Sequence, residues 1–188
     1  MGTFVAIDFE TAGHSRASAC ALGIAVFEAG RLAAHTKILI NPGIDESQWS
    51  PYAMAVHGIS AAAVRREPTF DAVAGPLLAD HAEQGRLFVA HNAAFDLAVL
   101  RAEFARYGLA CPPISYLCSM KVARAAWPQS PSVALDALAE VLGIPLRHHD
   151  PGSDAVAAGG VLLRAWSAIG GDTIDECLER SGLRTGEA

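Results

Sequence analysis

Long apolar runs are missing from this 188-residue sequence: the longest, such as Cys20 to Phe27, fall far short of the roughly 20 residues that cross a bilayer, so no membrane span is expected. Cysteine is sparse. Cys20, Cys111, Cys118 and Cys177 form no C-x-x-C pair and have no zinc-ligand spacing around them, which leaves reduced thiols as their reading. Basic residues are few as well. The 14 Lys and Arg against 20 Asp and Glu give a net charge of −6, the wrong sign for a chain that grips a polyanion mainly by counterion release, so any such contact has to be local. The start, Met1-Gly2-Thr3-Phe4, has no charged region followed by a long apolar core and runs straight into a strand-like segment, so a soluble cytoplasmic protein with no membrane partner is the expectation.

What is present is ample apolar material, 52% of residues, enough for one packed core at this length. Thr3 to Asp8, Ala19 to Glu28 and Arg31 to Ile40 are rich in Val, Ile and Phe, the last two joined across Ala29-Gly30; they read as three strands. Asn41-Pro42-Gly43 ends the third, and a polar loop dotted with Trp49, Tyr52 and Met54 leads to His57-Gly58-Ile59. A helix is expected from about Ser60 or Phe70 to His81. Leu87 to Ala90 reads as a buried strand, followed by a helix capped by Asn92 and running to Tyr107, with Gly108 at its end. Ser115 to Cys118 is a fifth strand, Ser132 caps a helix with Leu135, Leu138, Ala139 and Leu142 on one face, and a last long helix starts near Ser153. A short amphipathic segment from Thr173 to Arg180 follows, and Thr185 to Ala188 is expected to fray. Strands first, then strands alternating with helices, give an α/β fold with a mixed five-stranded sheet flanked by helices. Residues 1–168 form its main domain and 169–188 a short C-terminal helix and tail.

Four carboxylates and a histidine stand where such folds gather chemistry, at strand ends and helix starts. Asp8 and Glu10 sit two apart at the end of the first strand, so both side chains leave on one face and can share a cation. Asp96 lies in the first turn of the helix after Leu87–Ala90, and Asp154 in the first turn of the last long helix, where the helix dipole favours a carboxylate. His149 precedes Asp154 across Pro151-Gly152, with His148 a second candidate base. Taken singly, each has an ordinary structural reading: strand-end or first-turn acids and an exposed histidine. Taken in order, they are the donor set of a hard cation such as Mg²⁺ or Mn²⁺ rather than zinc.

Asp8-Phe9-Glu10-Thr11, His91-Asn92-Ala93-Ala94-Phe95-Asp96 and His149-Asp150-Pro151-Gly152-Ser153-Asp154 resemble the three motifs of the DEDDh 3′-to-5′ exonucleases, the superfamily that includes the epsilon proofreading subunit of bacterial DNA polymerase III. His57-Gly58-Ile59 before Pro68-Thr69-Phe70 is similar to a feature of the epsilon-like branch, and the likeness runs from Thr3 to Trp166. One departure is Ala12 in Thr11-Ala12-Gly13, where many relatives have a second threonine. The resemblance implies a ribonuclease H-like fold and a hydrolase with two cations, Mg²⁺ or Mn²⁺, held by Asp8, Glu10, Asp96 and Asp154, with His149 as general base. It implies a nucleic-acid substrate with a free 3′ end, met by Phe9, Thr11, His57, Asn92 and Phe95, and release of nucleoside 5′-monophosphates from DNA, single-stranded in the first instance. A DNA polymerase or another replication or repair protein is the partner class that goes with it. An exoribonuclease trimming short RNA and a non-catalytic binding module are the competing readings.

Overall fold

The alternation of Phe4, Ala6, Asp8 and Glu10 with Val5, Ile7 and Phe9 sends the two sets to opposite faces of the first strand, and both faces are covered. That strand, β1 (Phe4–Thr11), is central in a sheet of order β3-β2-β1-β4-β5-β6. The structure, a computed structural model, describes residues 2–187. β2 (Ala19–Glu28) runs antiparallel to β1 and to β3 (Arg31–Leu39), while β4 (Leu87–Ala90) lies parallel to β1 and β5 (Ser115–Cys118) parallel to β4. The hairpin between β2 and β3 turns on Ala29 and Gly30, both with positive φ, at 48° and 75°, the backbone twist that a two-residue hairpin needs.

A sixth strand corrects the expected five: β6 (Gly186–Glu187) pairs antiparallel with Ser115 and Tyr116, so part of the segment expected to fray is hydrogen-bonded. Ala188 lies outside the described residues. Three helices were also misplaced or missed. Tyr52 and Met54 belong to α1 (Pro51–His57), started by the Ser50 hydroxyl and Pro51, rather than to a loop. The helix expected from Ser60 or Phe70 divides into α2 (Ala61–Val64) and α3 (Ala74–Glu83). α4 (Ala94–Arg106) begins after Asn92, which does not cap it: Asn92 has φ 65°, and its carbonyl accepts the Phe95 N–H at 2.9 Å. α5 (Ser119–Ala126) continues directly from β5 with no capping side chain, which is why no start signal announced it. α6 (Leu135–Leu142) starts three residues beyond Ser132, whose hydroxyl accepts the Ala134 N–H at 3.1 Å. α7 (Pro151–Ile169) is capped by Asp150, and α8 (Ile174–Ser181) by Thr173.

α3 and α4 cover the Val5 face, packing Leu78, Leu97, Leu100 and Phe104 on Ile7, Leu22 and Phe88. α7 covers the other face with Ala155, Leu162 and Ala165 on Ala6, Ala25 and Phe27, and α5 and α6 pack outside it. Its small residues are required by how closely α7 lies on the sheet. A Cβ at Gly159 would sit 2.2 Å from the Phe27 ring, and one at Gly23 would sit 1.7 Å from the Pro151 carbonyl oxygen. Gly23 pairs with Asp8 on one side and Lys37 on the other, so the start of α7 descends onto the sheet in the row that carries Asp8.

Beneath the β1–β2 loop, Glu103 of α4 is fully buried and accepts the Ala19 N–H at 2.7 Å. Burial raises its pKa, partly offset by that bond and by Arg106. A carboxyl whose folded pKa is raised contributes stability below its unfolded value and loses it as pH rises through the folded one. Glu103→Gln keeps an acceptor and carries no charge, so its melting temperature should fall less than that of the wild type between acidic and neutral pH. Equal slopes in differential scanning fluorimetry would refute this.

Candidate active site

The end of β1 and the first turns of α4 and α7 bring the four sequence-selected carboxylates to one cavity of about 450 Å³, lined also by Phe9, His91, Asn92, Phe95, His148 and His149. One oxygen each of Asp8, Glu10 and Asp154 lies within 4.8 Å of the others. Asp96 stands beside this trio, fully buried, with Oδ1 accepting the Phe9 N–H at 2.9 Å. That bond joins α4 to β1 at the residue between Asp8 and Glu10. Asp154 Oδ2 accepts the His149 N–H at 2.7 Å, whereas its Oδ1 is buried with no hydrogen-bond partner among the described residues.

Four acids in so small a volume disfavour one another's charged forms. Asp8 is pushed well above the usual carboxylate range by burial first, then by Asp96, Asp154 and Glu10. Glu10 rises to about 8 through burial and the charges of Asp154 and Asp96, with Lys37 opposing. Burial likewise lifts Asp96 to about 7 and Asp154 to about 6, although both accept backbone N–H bonds. No side-chain cation forms an ion pair with any of the four among the described residues. A buried unpartnered oxygen, three convergent carboxylates and no ion-paired cation among the described residues are the conditions that a hard divalent cation satisfies, so the residues present fit that group.

His149 sits on a turn with φ 65°, its ring stacked on that of His148 with centroids 3.9 Å apart. The turn is held from behind by Asp150, which caps α7 by accepting the Ser153 N–H and meets Lys37 of β3 at 3.1 Å and Arg147 at 2.7 Å. His149 also borders a second cavity of about 460 Å³ that shares Glu10 and Phe95 with the first and adds Thr11, Gly13, Arg16, Tyr52 and His57. Arg16 lies over the Phe95 ring, 4.2 Å from its centroid.

The remaining sequence-selected contacts divide. Thr11, Asn92 and Phe95 border the cavities. Phe9 is 2% exposed, a core side chain whose main contribution is the N–H given to Asp96. His57 has both nitrogens engaged: Nδ1 accepts the Ile59 N–H at 3.0 Å, so Nε2 carries the proton and faces the Thr11 carbonyl at 3.3 Å. Only its ring face is free. His91 is a comparable clamp, Nε2 donating to the Val133 carbonyl at 2.8 Å and Nδ1 accepting from the Ser119 hydroxyl at 2.9 Å. Neither staple, nor Gly23, nor the Asp150 hub had been singled out, because each is defined by partners remote in sequence.

A sheet of this order, with acids converging at the end of its central strand, is the ribonuclease H-like arrangement, and the class it defines is that of hydrolytic nucleases. The chain belongs to the exonuclease family RNase_T, whose sequence model matches residues 5–162. It is 33% identical over 152 residues to a Mycobacterium tuberculosis protein named as a bifunctional exonuclease/endonuclease, covering 76% of this chain and 23% of that one. With the Bacillus subtilis 3′-5′ exonuclease DinG it shares 31% over 166 residues, 85% of this chain and 17% of the relative. The chain thus spans about a fifth of the length of these curated relatives. Among solved structures, exonuclease X in complex with 5′ overhanging duplex DNA superposes with a TM-score of 0.71 at 24% identity, covering 97% of this chain and all of that one. The nuclease domain of 3′hExo bound to rAMP gives 0.72 at 16%, covering 98% and 96%. Both support the fold.

Proposed function

We propose that this chain hydrolyses the 3′-terminal phosphodiester bond of single-stranded DNA, releasing nucleoside 5′-monophosphates, with Asp8, Glu10, Asp96 and Asp154 holding two Mg²⁺ or Mn²⁺ ions. The observation that carries it is the convergence of Asp8, Glu10 and Asp154, with Asp154 Oδ1 buried and without a hydrogen-bond partner and no ion pair to any of the three among the described residues. Asp8, Glu10 and Asp154 would hold one cation, and Asp8 with Asp96 would help to hold the other. When bound, these ions supply Lewis-acid stabilisation of the developing phosphate charge and a lowered pKa for the attacking water. His149, at the junction of the two cavities, would take the proton of the attacking water at an imidazole nitrogen. Phe95 and the face of His57 flank the terminal base, and Arg16 lies where it can leave the Phe95 ring for a phosphate. Sequence-tolerant stacking of this kind suits trimming without base readout. DNA is preferred over RNA because the relatives include DinG and a PolC-type DNA polymerase III of Streptococcus suis, 28% identical over 166 residues. Their names also support a replication or repair partner, with residues 169–188 as a C-terminal addition to the exonuclease domain.

The test is mononucleotide release from matched 3′-labelled DNA and RNA oligomers with Mg²⁺ or Mn²⁺. His149→Ala should lower turnover about 10²- to 10⁴-fold while keeping the cation-induced rise in melting temperature, since it removes a base and no ligand. Full activity in that variant would overturn the role of His149. Faster release from RNA would replace DNA as substrate, and no release from either would leave a binding module.

A further inference from the structure

We propose that His148, His149 and Asp154 form a second, softer metal site that takes Zn²⁺ and silences the enzyme by occupying His149. One ligand atom from each of the three lies within 4.8 Å of the others, a grouping distinct from the Asp8, Glu10 and Asp154 trio. The donor chemistry differs as well. Three carboxylates favour Mg²⁺ or Mn²⁺, whereas two imidazoles and one carboxylate are a zinc set that leaves a fourth position open.

Three features make the imidazoles available. His57 and His91 are tied down through both ring nitrogens, whereas among the described residues no hydrogen bond engages the rings of His148 or His149. Their stacking, 3.9 Å between centroids and 14° between planes, keeps the two rings adjacent, so a turn of one ring about its side-chain bonds would bring its in-plane lone pair toward an ion held by the other. Asp154, whose buried Oδ1 has no hydrogen-bond partner among the described residues, supplies the anchoring carboxylate. His148 is exposed, so its ring can turn to bring a nitrogen to the Zn–N distance of about 2.0–2.1 Å.

A zinc ion so placed would take the His149 lone pair needed for a proton and draw Asp154 away from the carboxylate trio. Inhibition is therefore expected even when Mg²⁺ is abundant. The inhibitory consequence rests on the exonuclease reading, whereas the site itself does not.

Two measurements test it. Zn²⁺ titrated into cation-free protein by calorimetry should bind one ion per chain at micromolar concentration, and His148→Ala and His148→Gln should each weaken that binding by roughly tenfold or more. Mononucleotide release at fixed Mg²⁺, taken as a ratio to each protein's own zinc-free rate, should need roughly tenfold more Zn²⁺ for half inhibition in either variant. Equal zinc affinity in wild type and variants would place zinc on the carboxylates and overturn the site. Zinc that accelerates release would overturn the silencing. The calorimetry reads binding alone, so a wild-type protein without nuclease activity would sink the exonuclease reading and leave the site to be decided by the heats.

Discussion

Asp8→Asn should abolish detectable mononucleotide release, a loss on the order of 10³-fold or more, while raising the melting temperature of the cation-free protein. Asp8 is central to the carboxylate trio, and Asp96, Asp154 and Glu10 all disfavour its charge. Asparagine keeps the shape and one acceptor but removes the charge, so the repulsion among the remaining acids falls. Removing one preorganised electrostatic partner already costs 10²–10³ in turnover, and in the proposed arrangement Asp8 would serve both cations. The rise in melting temperature that Mg²⁺ or Mn²⁺ gives the wild type should shrink at the same time, because stabilisation by a bound ligand grows with the logarithm of its affinity. Scanning fluorimetry with EDTA and then with excess cation reads both effects. Activity restored by excess Mn²⁺ would remove Asp8 from its central place, and a lower cation-free melting temperature would show that the acids are not in conflict.

Gly23→Ala, a substitution that adds one methyl group and alters none of the site side chains, should both destabilise and inactivate. The added Cβ would stand 1.7 Å from the Pro151 carbonyl oxygen and 2.7 Å from the Gly152 nitrogen, both backbone atoms that no rotamer change can move. The first turn of α7 must lift from the sheet. Overpacking of this kind costs about 3 kcal/mol, which for a chain of this size lowers the melting temperature by roughly 6 to 12 °C. The same turn carries His149 and Asp154, and a displacement near 1 Å costs on the order of 10²-fold in rate. A variant that melts with the wild type and keeps its turnover would show that α7 approaches the sheet less closely than described.

Gly23 also shows where sequence reading stops. β1, β2, β3 and their hairpin were legible because runs of Val, Ile and Phe with a turn dipeptide are local signals, and the site acids were legible because strand ends and first helical turns can be placed from the same signals. The Asp8–Gly23–Lys37 row depends on strand pairing, and the contact with Pro151 on a helix more than a hundred residues away. Some misses were avoidable. Ser50-Pro51 is a helix start by its cap and first-position proline, yet Tyr52 and Met54 were read as loop because α1 spans only seven residues. His57 drew attention as a substrate contact, whereas its neighbours Thr11 and Ile59 engage both nitrogens. Asn92 looked like an N-cap for its chemistry, but its left-handed backbone makes the turn into α4 instead.

That left-handed geometry recurs at His149, so two of the three described non-glycine residues with positive φ flank this one cavity, one before Asp96 and one before Asp154. Such a backbone costs a residue with a Cβ, such as asparagine or histidine, of the order of 1 kcal/mol relative to glycine. Heat resistance and turnover therefore point to different sequences at these positions. A library sorted only for survival at high temperature would collect glycine at 149 and asparagine at Asp8, and its winners would be well-folded proteins that no longer cut.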